Sequence, residues 1–350
     1  MPDIHNNDTG VDKPLHAWLV YNSFNTWKKF TQLYDWLIDA AKSHNIELVP
    51  LLGTDVSPSI DACNHGTVFD ELDSGRRPDF VIFWDKDITL CEYLQALGIR
   101  CMNTAEAIEA CDDKGRTFAR LSAHGIRQPR TFIVPLSFHK IDWNGFFDGD
   151  DIVNDDPDEE AAYQRSAASA RAFIEHVEKR GGGYPLVVKT CKGSFGSGVY
   201  LANNRKELLN KLTELSPNGT IVQQFVSKTV GTDVRVQVVG GKAVAAMRRT
   251  AKDGDFRANI TNGGTAKGIT PTDEQAALAV SAANALGLDF AGVDLLDGDD
   301  GKPVVCEVNS NAHFVNLYNA CGVNVADAIM EYAYDECREP QIRYANRAFA

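Results

Sequence analysis

Three oxygen-bearing side chains near the end of this 350-residue chain are spaced to hold a divalent cation. Side chains alternate faces along a strand. In Pro303-Val-Val-Cys-Glu-Val-Asn309, Glu307 and Asn309 therefore share one face. A turn within Asp297-Gly-Asp-Asp-Gly301 folds the preceding strand back and sets Asp294 roughly opposite Glu307. Cross-strand neighbours have Cβ atoms about 4.5–5.5 Å apart. Two carboxylates at that separation repel unless a cation lies between them. An Asp, a Glu and an Asn amide oxygen are hard ligands suited to Mg²⁺, which keeps coordination positions for phosphate oxygens. The competing reading, a solvated acidic face, fits poorly with Val304, Val305 and Val308 in the same run.

A second feature is Pro185-Leu-Val-Val-Lys-Thr-Cys-Lys-Gly-Ser-Phe-Gly-Ser-Gly-Val-Tyr-Leu201. A strand carrying Lys189 enters a loop with Gly193, Gly196 and Gly198 and leaves as a strand. Glycines let backbone amides approach a ligand, and an ammonium at the base of the loop can meet a phosphate. The loop is neither a P-loop nor a dinucleotide fingerprint, since no helix follows it. Taken alone, such a loop is usually a plain hairpin turn, and Lys189 at its base raises the phosphate-binding reading. A third feature is the ribbon from Asp233 to Arg248, with Gly240-Gly241 as its two-residue turn. Asp233, Arg235 and Gln237 alternate with Val234, Val236 and Val238. Folding about the glycines brings Arg248 close to Asp233. An exposed ion pair would account for that, and so would arginines placed to stabilise a transferring phosphoryl group. The loop Asp255-Phe-Arg-Ala-Asn-Ile-Thr-Asn-Gly-Gly264 is polar and glycine-ended.

The elements that position these groups follow from periodicity. Strands are expected at His16–Val20, Ile46–Leu52 and Asp79–Trp84, with helices over Phe30–His44 and Cys91–Leu97 between and after them. On the first helix Leu33, Leu37, Ala40 and Ala41 form one stripe. This alternation indicates a small α/β layer domain with a parallel sheet, ending near Cys111. A helix over Asp112–His124 and a strand at Thr131–Val134 follow. The Asp- and Gly-rich segment Pro135–Pro157 reads as an irregular acidic insertion. Glu159–Arg180 reads as a helix with Ala162, Phe173 and Val177 inward, stopped by Gly181–Gly183. Strands dominate from Pro185 until Thr272-Asp-Glu-Gln275, a capping box opening a helix through Leu286. Two strands, Phe290–Leu296 and Pro303–Asn309, and a closing helix over Asn324–Glu336 complete the chain.

Composition limits the functional classes. The chain is 44% hydrophobic and 24% charged, with a formal net charge of −13. That sign argues against a nucleic-acid binder. No apolar run approaches a membrane span, and Met1–Gly10 lacks the apolar core of a secretory signal. The eight cysteines show neither C-x-x-C pairs nor zinc spacing, which fits reduced thiols and a cytoplasmic protein.

In order along the chain, V-V-K-T-x-x-G-S-F-G-S-G-V, G-T-D-V-R-V, G-D-F-R-A-N, and A-G-V-D-L-L with C-E-V-N-S-N resemble the ATP-grasp superfamily, and within it the RimK-type amino-acid ligases. The resemblance runs from about Asp112 to Ala333. It implies an ATP-grasp fold, α/β and α+β, behind a Rossmann-like pre-ATP-grasp domain. The parts would be residues 1–111, a central subdomain at 112–226 carrying the insertion 135–157, and a C-terminal subdomain at 227–350 with the metal site. It implies ATP with Mg²⁺, two ions, Mn²⁺ being an alternative. Asp294, Glu307 and Asn309 match the metal ligands. Lys189 and Lys114 match lysines that touch ATP. Gly193, Ser194, Phe195, Gly196, Ser197 and Gly198 match the flexible phosphate cover. Gln224 and Phe225 match the adenine hinge, although Glu is usual where Gln224 stands. Asp233, Arg257 and Asn259 match nucleotide contacts. Arg235, Arg248 and Lys189 are the candidates for charge stabilisation during catalysis.

The implied reaction joins a carboxylate to an amine through an acyl phosphate, with an amino acid such as glutamate added to a carboxyl-ended small molecule or peptide. Relatives are often dimers or tetramers, so the resemblance also allows a homo-oligomer. Neither nucleic acid nor membrane is an expected partner. The chain departs from the family pattern after E-V-N, where Pro-Gly usually follows a small residue and this sequence reads Asn309-Ser-Asn-Ala-His-Phe314. His313 reads as a packing or hydrogen-bonding residue, with a role toward the acceptor substrate as the alternative. Two other readings stay open at the level of sequence: a ligase with a thiol or D-amino-acid nucleophile, and a regulatory ATP-binding protein without turnover.

Overall fold

The computed structural model describes residues 13–25, 27–57, 76–147, 156–193, 198–252, 256–258 and 263–338. The described residues form two compact units. The smaller comprises the chain up to residue 105 with 313–318 and 323–338, and the larger comprises 106–312 with 319–322.

In the smaller unit β1 (Leu15–Tyr21), β2 (Ile46–Leu52), β3 (Phe80–Trp84) and β4 (Cys101–Met102) form a sheet in the order β2-β1-β3-β4. Every pairing is parallel. Parallel sheets are covered on both faces, so their strands are apolar throughout rather than alternating; Phe80–Trp84 is buried at every residue. Helix α1 (Lys28–Ser43) lies between the first two strands, with Leu33, Leu37, Ala40 and Ala41 buried as their spacing requires. Helix α2 (Ile88–Ala96) starts three residues before the expected Cys91, because the Asp87 carboxylate caps the Leu90 amide. The unit is completed by residues near the C-terminus. Helix α9 (Val325–Arg338) packs on α1, and Trp36 meets Phe314 and Tyr318. The helix α8 (Val315–Cys321) was not expected from periodicity; it is only seven residues long.

The larger unit begins with α3 (Ala105–Asp112), of which only the first residue belongs to the smaller unit, and continues with α4 (Lys114–Ala123), capped by the Asp113 side chain on the Arg116 amide. Its first sheet takes β5 (Thr131–Ile133), β6 (Leu186–Thr190), β7 (Val199–Ala202) and β8 (Thr220–Gln224) in the order β5-β8-β6-β7, all antiparallel. Helices α5 (Pro157–Gly181) and α6 (Arg205–Leu215) share its core, where Ile174, Val177, Leu208 and Leu212 are buried with Leu186 and Val222. The expected stripe on α5 is corrected at one end. Ala162 is exposed, lining an open groove of about 510 Å³ with Leu136 and Phe146, and Ala167, Ala170 and Ile174 face inward instead. Helix α6 was not expected in this region, where strands dominate the sequence reading. Its signals are local: Asn204 caps the Glu207 amide, Glu207 reaches back to the Asn203 amide, and Leu208, Leu212 and Leu215 make an i, i+4, i+7 stripe. The insertion has no helix or strand over residues 135–147, and 148–155 lie outside the described residues.

The second sheet holds β9 (Thr232–Val239), β10 (Lys242–Thr250), β11 (Thr265–Ile269), β12 (Phe290–Asp297) and β13 (Pro303–Asn309) in the order β11-β10-β9-β12-β13. Helix α7 (Asp273–Ala285) covers one face. Thr272 and Gln275 form its expected capping box. Ala279, Ala282 and Ala283 pack there against Val234, Val236, Val238, Val293 and Val305. The other face of this sheet is not apolar. No helix among the described residues is long and apolar enough to cross a membrane, and none of the seven described cysteines is in a disulfide.

Candidate active site

Four strands send polar side chains to the face of the second sheet opposite α7. Directly opposed residues in antiparallel strands share a face, so the pairing register decides what meets. Arg235 on β9 lies opposite Asp294 on β12, and Asp294 lies opposite Glu307 on β13. The next rung runs Gln237, Gly292, Asn309. The expected opposition of Asp294 and Glu307 is therefore present, and a bulge secures it. Asp294 pairs with Glu307 but Leu295 with Val305, so Cys306 is an extra residue.

A second bulge corrects the expected partner of Asp233. Gly240 and Gly241 take φ of 54° and 73°, as a two-residue turn demands. Simple folding about them would set Arg248 opposite Asp233. Val244 is instead left out of register, because Ala243 pairs with Val238 and Ala245 with Gln237. Every later side chain on β10 changes face. Arg249 stands opposite Asp233, and Arg248 stands opposite Val234 with its side chain exposed.

The result is a buried cluster of two carboxylates and two guanidiniums. Arg235 donates to Asp294 through Nε at 2.6 Å and Nη2 at 2.7 Å. Arg249 donates to Asp233 through Nε at 2.7 Å and through Nη2, and its Nη2 also lies 2.8 Å from Asp294 Oδ2. The side chains of Asp294 and Asp233 are 3% and 8% exposed. Burial by itself would raise the Asp294 carboxyl, but the Arg235 and Arg249 charges outweigh it and hold it below the usual carboxylate range. Asp233 moves the other way. Burial pushes it up and the charge on Asp294 adds to that, which outweighs the Arg249 hydrogen bond and the charges of Arg249 and Arg235. Arg249, between two carboxylates, is held more firmly protonated than a free arginine despite its burial.

Lysines border this face. Lys114, at the first turn of α4, places Nζ 3.4 Å from Glu307 Oε1 and donates to the Gly193 carbonyl at 3.2 Å. One side chain thus joins the start of the glycine loop to the carboxylate of β13. Lys189 is buried on β6 with its ammonium 5.8 Å from the centre of the Phe118 ring, and among the described residues no carboxylate pairs with it. Gly198 has φ of 77°, and a Cβ there would fall on the Thr190 hydroxyl, so the loop must leave through glycine. Ser194, Phe195, Gly196, Ser197 and Asn259 lie outside the described residues. Gln224 ends β8 with Nε2 3.5 Å from Asp299 Oδ2. Phe225 meets Phe256, over which the Arg257 guanidinium lies at 5.6 Å. His313 packs edge-on against Phe30.

The donor set fits a hard dication. Among the described residues no group of three or more His, Cys, Asp or Glu side chains is arranged for a metal. Two carboxylates with an amide are the set that leaves room for phosphate oxygens. Asn309 Nδ2 is buried with no hydrogen-bond partner among the described residues. Amide nitrogen and oxygen are interchangeable by a flip, so this site can equally present the oxygen that a cation needs. Arg249 and Gln237 are the site-face residues that sequence reasoning missed as candidates. Both amide atoms of Gln237 are buried with no partner among the described residues. Its alternation with Val236 and Val238 was the available signal. Burial pushes the Cys306 thiol up to about 11, which keeps it protonated and unsuited to act as a nucleophile.

Residues 156–333 match the model of the RimK-like ATP-grasp domain. The chain belongs to the RimK-like ATP-grasp family. It is 33% identical over 243 residues to the probable alpha-L-glutamate ligase of Legionella pneumophila, covering 69% of this chain and 68% of that one. It is 32% identical over 268 residues to human N-acetylaspartylglutamate synthase A, covering 76% of this chain. The match spans 60% of the human protein. The solved structure of D-cycloserine synthetase shares the ATP-grasp fold, with a TM-score of 0.66 at 17% identity over 92% of this chain and 99% of that one.

Proposed function

We propose that this RimK-like protein is an ATP-dependent carboxylate–amine ligase. The observation that carries this reading is the rung Arg235–Asp294–Glu307, two carboxylates and a guanidinium side by side on one sheet face, which supports a cation held beside a transferred phosphoryl group. A substrate carboxylate oxygen attacks the γ-phosphorus of ATP, the bond to the bridging oxygen breaks, and ADP leaves. The amine nitrogen of a second substrate then attacks the acyl carbon, phosphate departs, and the nitrogen loses its proton as the amide forms. The names of the related glutamate ligase and N-acetylaspartylglutamate synthase support an amino acid such as glutamate as the amine, joined to a carboxyl-ended small molecule or peptide.

Phosphoryl transfer needs positioning and charge neutralisation more than covalent help. Asp294, Glu307 and Asn309 would hold Mg²⁺, which supplies charge neutralisation at the phosphates. Lys189 and Lys114 would contact the phosphates, with Gly193–Gly198 closing over them. Gln224 and Phe225 would hold the adenine, with Asp233, Arg257 and Asn259 contacting the rest of the nucleotide. Arg235 stabilises charge next to the transferred group. Arg249 takes over the place expected for Arg248, since it is the one on the site face. The domain limits 1–111, 112–226 and 227–350 are part of the same reading. The test is ADP release with MgATP against pairs of carboxylates and amino acids, with products weighed by mass spectrometry. Release that needs a specific pair, with a product mass equal to their condensation and lost in Glu307→Ala, supports the ligase. Nucleotide binding with no release for any pair counts against it.

A further inference from the structure

We propose that Asp294 is shared between Arg249 and a divalent cation, and that Arg249 gives it up when the cation binds, remaining on Asp233. This rests on the reading of Asp294 as a cation ligand and concerns how that site is controlled.

A carboxylate oxygen offers two lone pairs. Oδ2 of Asp294 accepts from Arg235 Nη2 at 2.7 Å and is met by Arg249 Nη2 at 2.8 Å, while Oδ1 accepts from Arg235 Nε at 2.6 Å. Both positions on Oδ2 are therefore filled. The group is also almost fully buried, with the Asp294 side chain 3% exposed. A dication reaching it meets two guanidiniums where little solvent screens the repulsion. As it stands, the cluster is neutral in sum, with two carboxylates against two guanidiniums.

The two arginines are not equivalent. Arg235 is directly opposite Asp294 in the sheet, and both of its hydrogen bonds go to that carboxylate. Arg249 spends its fork on Asp233 and reaches Asp294 with the end of one nitrogen. Losing the contact with Asp294 leaves Arg249 paired, whereas Arg235 would lose both bonds. Arg249 is therefore the group that yields. Glu307, across the strand pair, is 35% exposed and bound to Lys114 at 3.4 Å, so it is reachable from solvent while Asp294 is still held. Cation binding would thus convert Arg249 from a ligand of Asp294 into a donor available to an incoming phosphate. Arg249 acts on the cation through Asp294 and is a positioning residue in this respect.

The sign of one measurement separates this from a purely supporting role. If Arg249 only orients Asp294, its removal weakens cation binding. If it competes for Asp294, its removal tightens binding. Mn²⁺ is the probe, titrated into the nucleotide-free full chain and read by electron paramagnetic resonance. Arg249→Met should bind Mn²⁺ on the order of tenfold more tightly than wild type, the effect of removing one like charge at close range. Arg249→Lys keeps the charge and should stay near wild type. Arg249→Met leaves Asp233 buried without its partner, so Asp233→Asn with and without Arg249→Met gives a second comparison that does not depend on that variant folding. The double variant should bind more tightly than Asp233→Asn alone. Equal or weaker binding in both comparisons overturns the exchange and leaves the ligand assignment intact. Asp294→Asn separates the two readings: binding equal to wild type removes Asp294 from the cation site and overturns the exchange with it.

Discussion

The larger unit contains two antiparallel sheets of the same chain that solve burial in opposite ways. The sheet β5-β8-β6-β7 packs its inner face with Leu186, Val188 and Val222 against the apolar sides of α5 and α6. Its prominent ion pairing, Arg205 with Glu178 backed by the Tyr184 hydroxyl, sits toward the surface. The sheet β11-β10-β9-β12-β13 uses one face in the same way, against α7. On the other face it buries Asp233, Asp294, Arg235 and Arg249. A buried ion pair replaced by apolar residues is often neutral or stabilising, so stability alone does not explain the second arrangement. Under the proposed function these charges serve to receive another charged species, the cation and the phosphates. The contrast is between a sheet buried by packing alone and one that also buries paired charges.

That contrast can be broken at its strongest point first. Asp294→Asn leaves Arg235 without its anion in a buried setting. It should cost about 3–5 kcal/mol in stability, read by urea denaturation, and abolish ADP release. Unchanged stability would mean that the cluster is better solvated than its exposure indicates. Ile174→Ala in the apolar core of the first sheet should cost about 2–5 kcal/mol, with Mn²⁺ affinity unchanged in the fraction that remains folded. An equal loss of Mn²⁺ binding would erase the division of labour. Gly198→Ala should cost about 1–3 kcal/mol through its positive φ and the collision with Thr190. It should also raise the KM for ATP if the glycine loop covers phosphates.

The smallest effect concerns the surface ion pair. The hydrogen bond from Arg205 is the main reason that the Glu178 carboxyl is held below its ordinary value, and the Tyr184 hydroxyl adds to it against partial burial. A depressed carboxyl pKa contributes stability that is present above the unfolded value, near pH 4.3, and lost as pH falls through the folded value. Glu178→Gln should therefore lower Tm slightly at pH 7, by less than about 1 kcal/mol of stability. The difference from wild type should vanish in acid below the folded value. A difference that persists there would assign the effect to packing by Tyr184 instead.

Much of this protein was legible without its structure. The parallel layer sheet, the capping box at Thr272, the Gly240-Gly241 turn and the opposition of Asp294 and Glu307 all rest on local rules of alternation, capping and turn chemistry. Those rules depend on neighbours within a few residues, which the sequence displays. What failed depended on counting across a turn or on burial at a distance. Ala162 has helical spacing but is exposed among the described residues, because the side of α5 facing the core is fixed by the sheet it packs against. Helix α6 was visible in its own capping signals and in its leucine stripe, and was hidden by the strands on either side.

The two bulges mark the limit most clearly. One extra residue at Cys306 keeps Glu307 opposite Asp294, and one at Val244 moves Arg249 into the place that simple counting gives to Arg248. The sequence by itself determined the residue types, their alternation and the turn between the strands. Only the tertiary structure decided the register, because a bulge is set by how both faces of the sheet pack at once. With a side-chain period of two, a single unpaired residue is enough to decide which arginine enters the site.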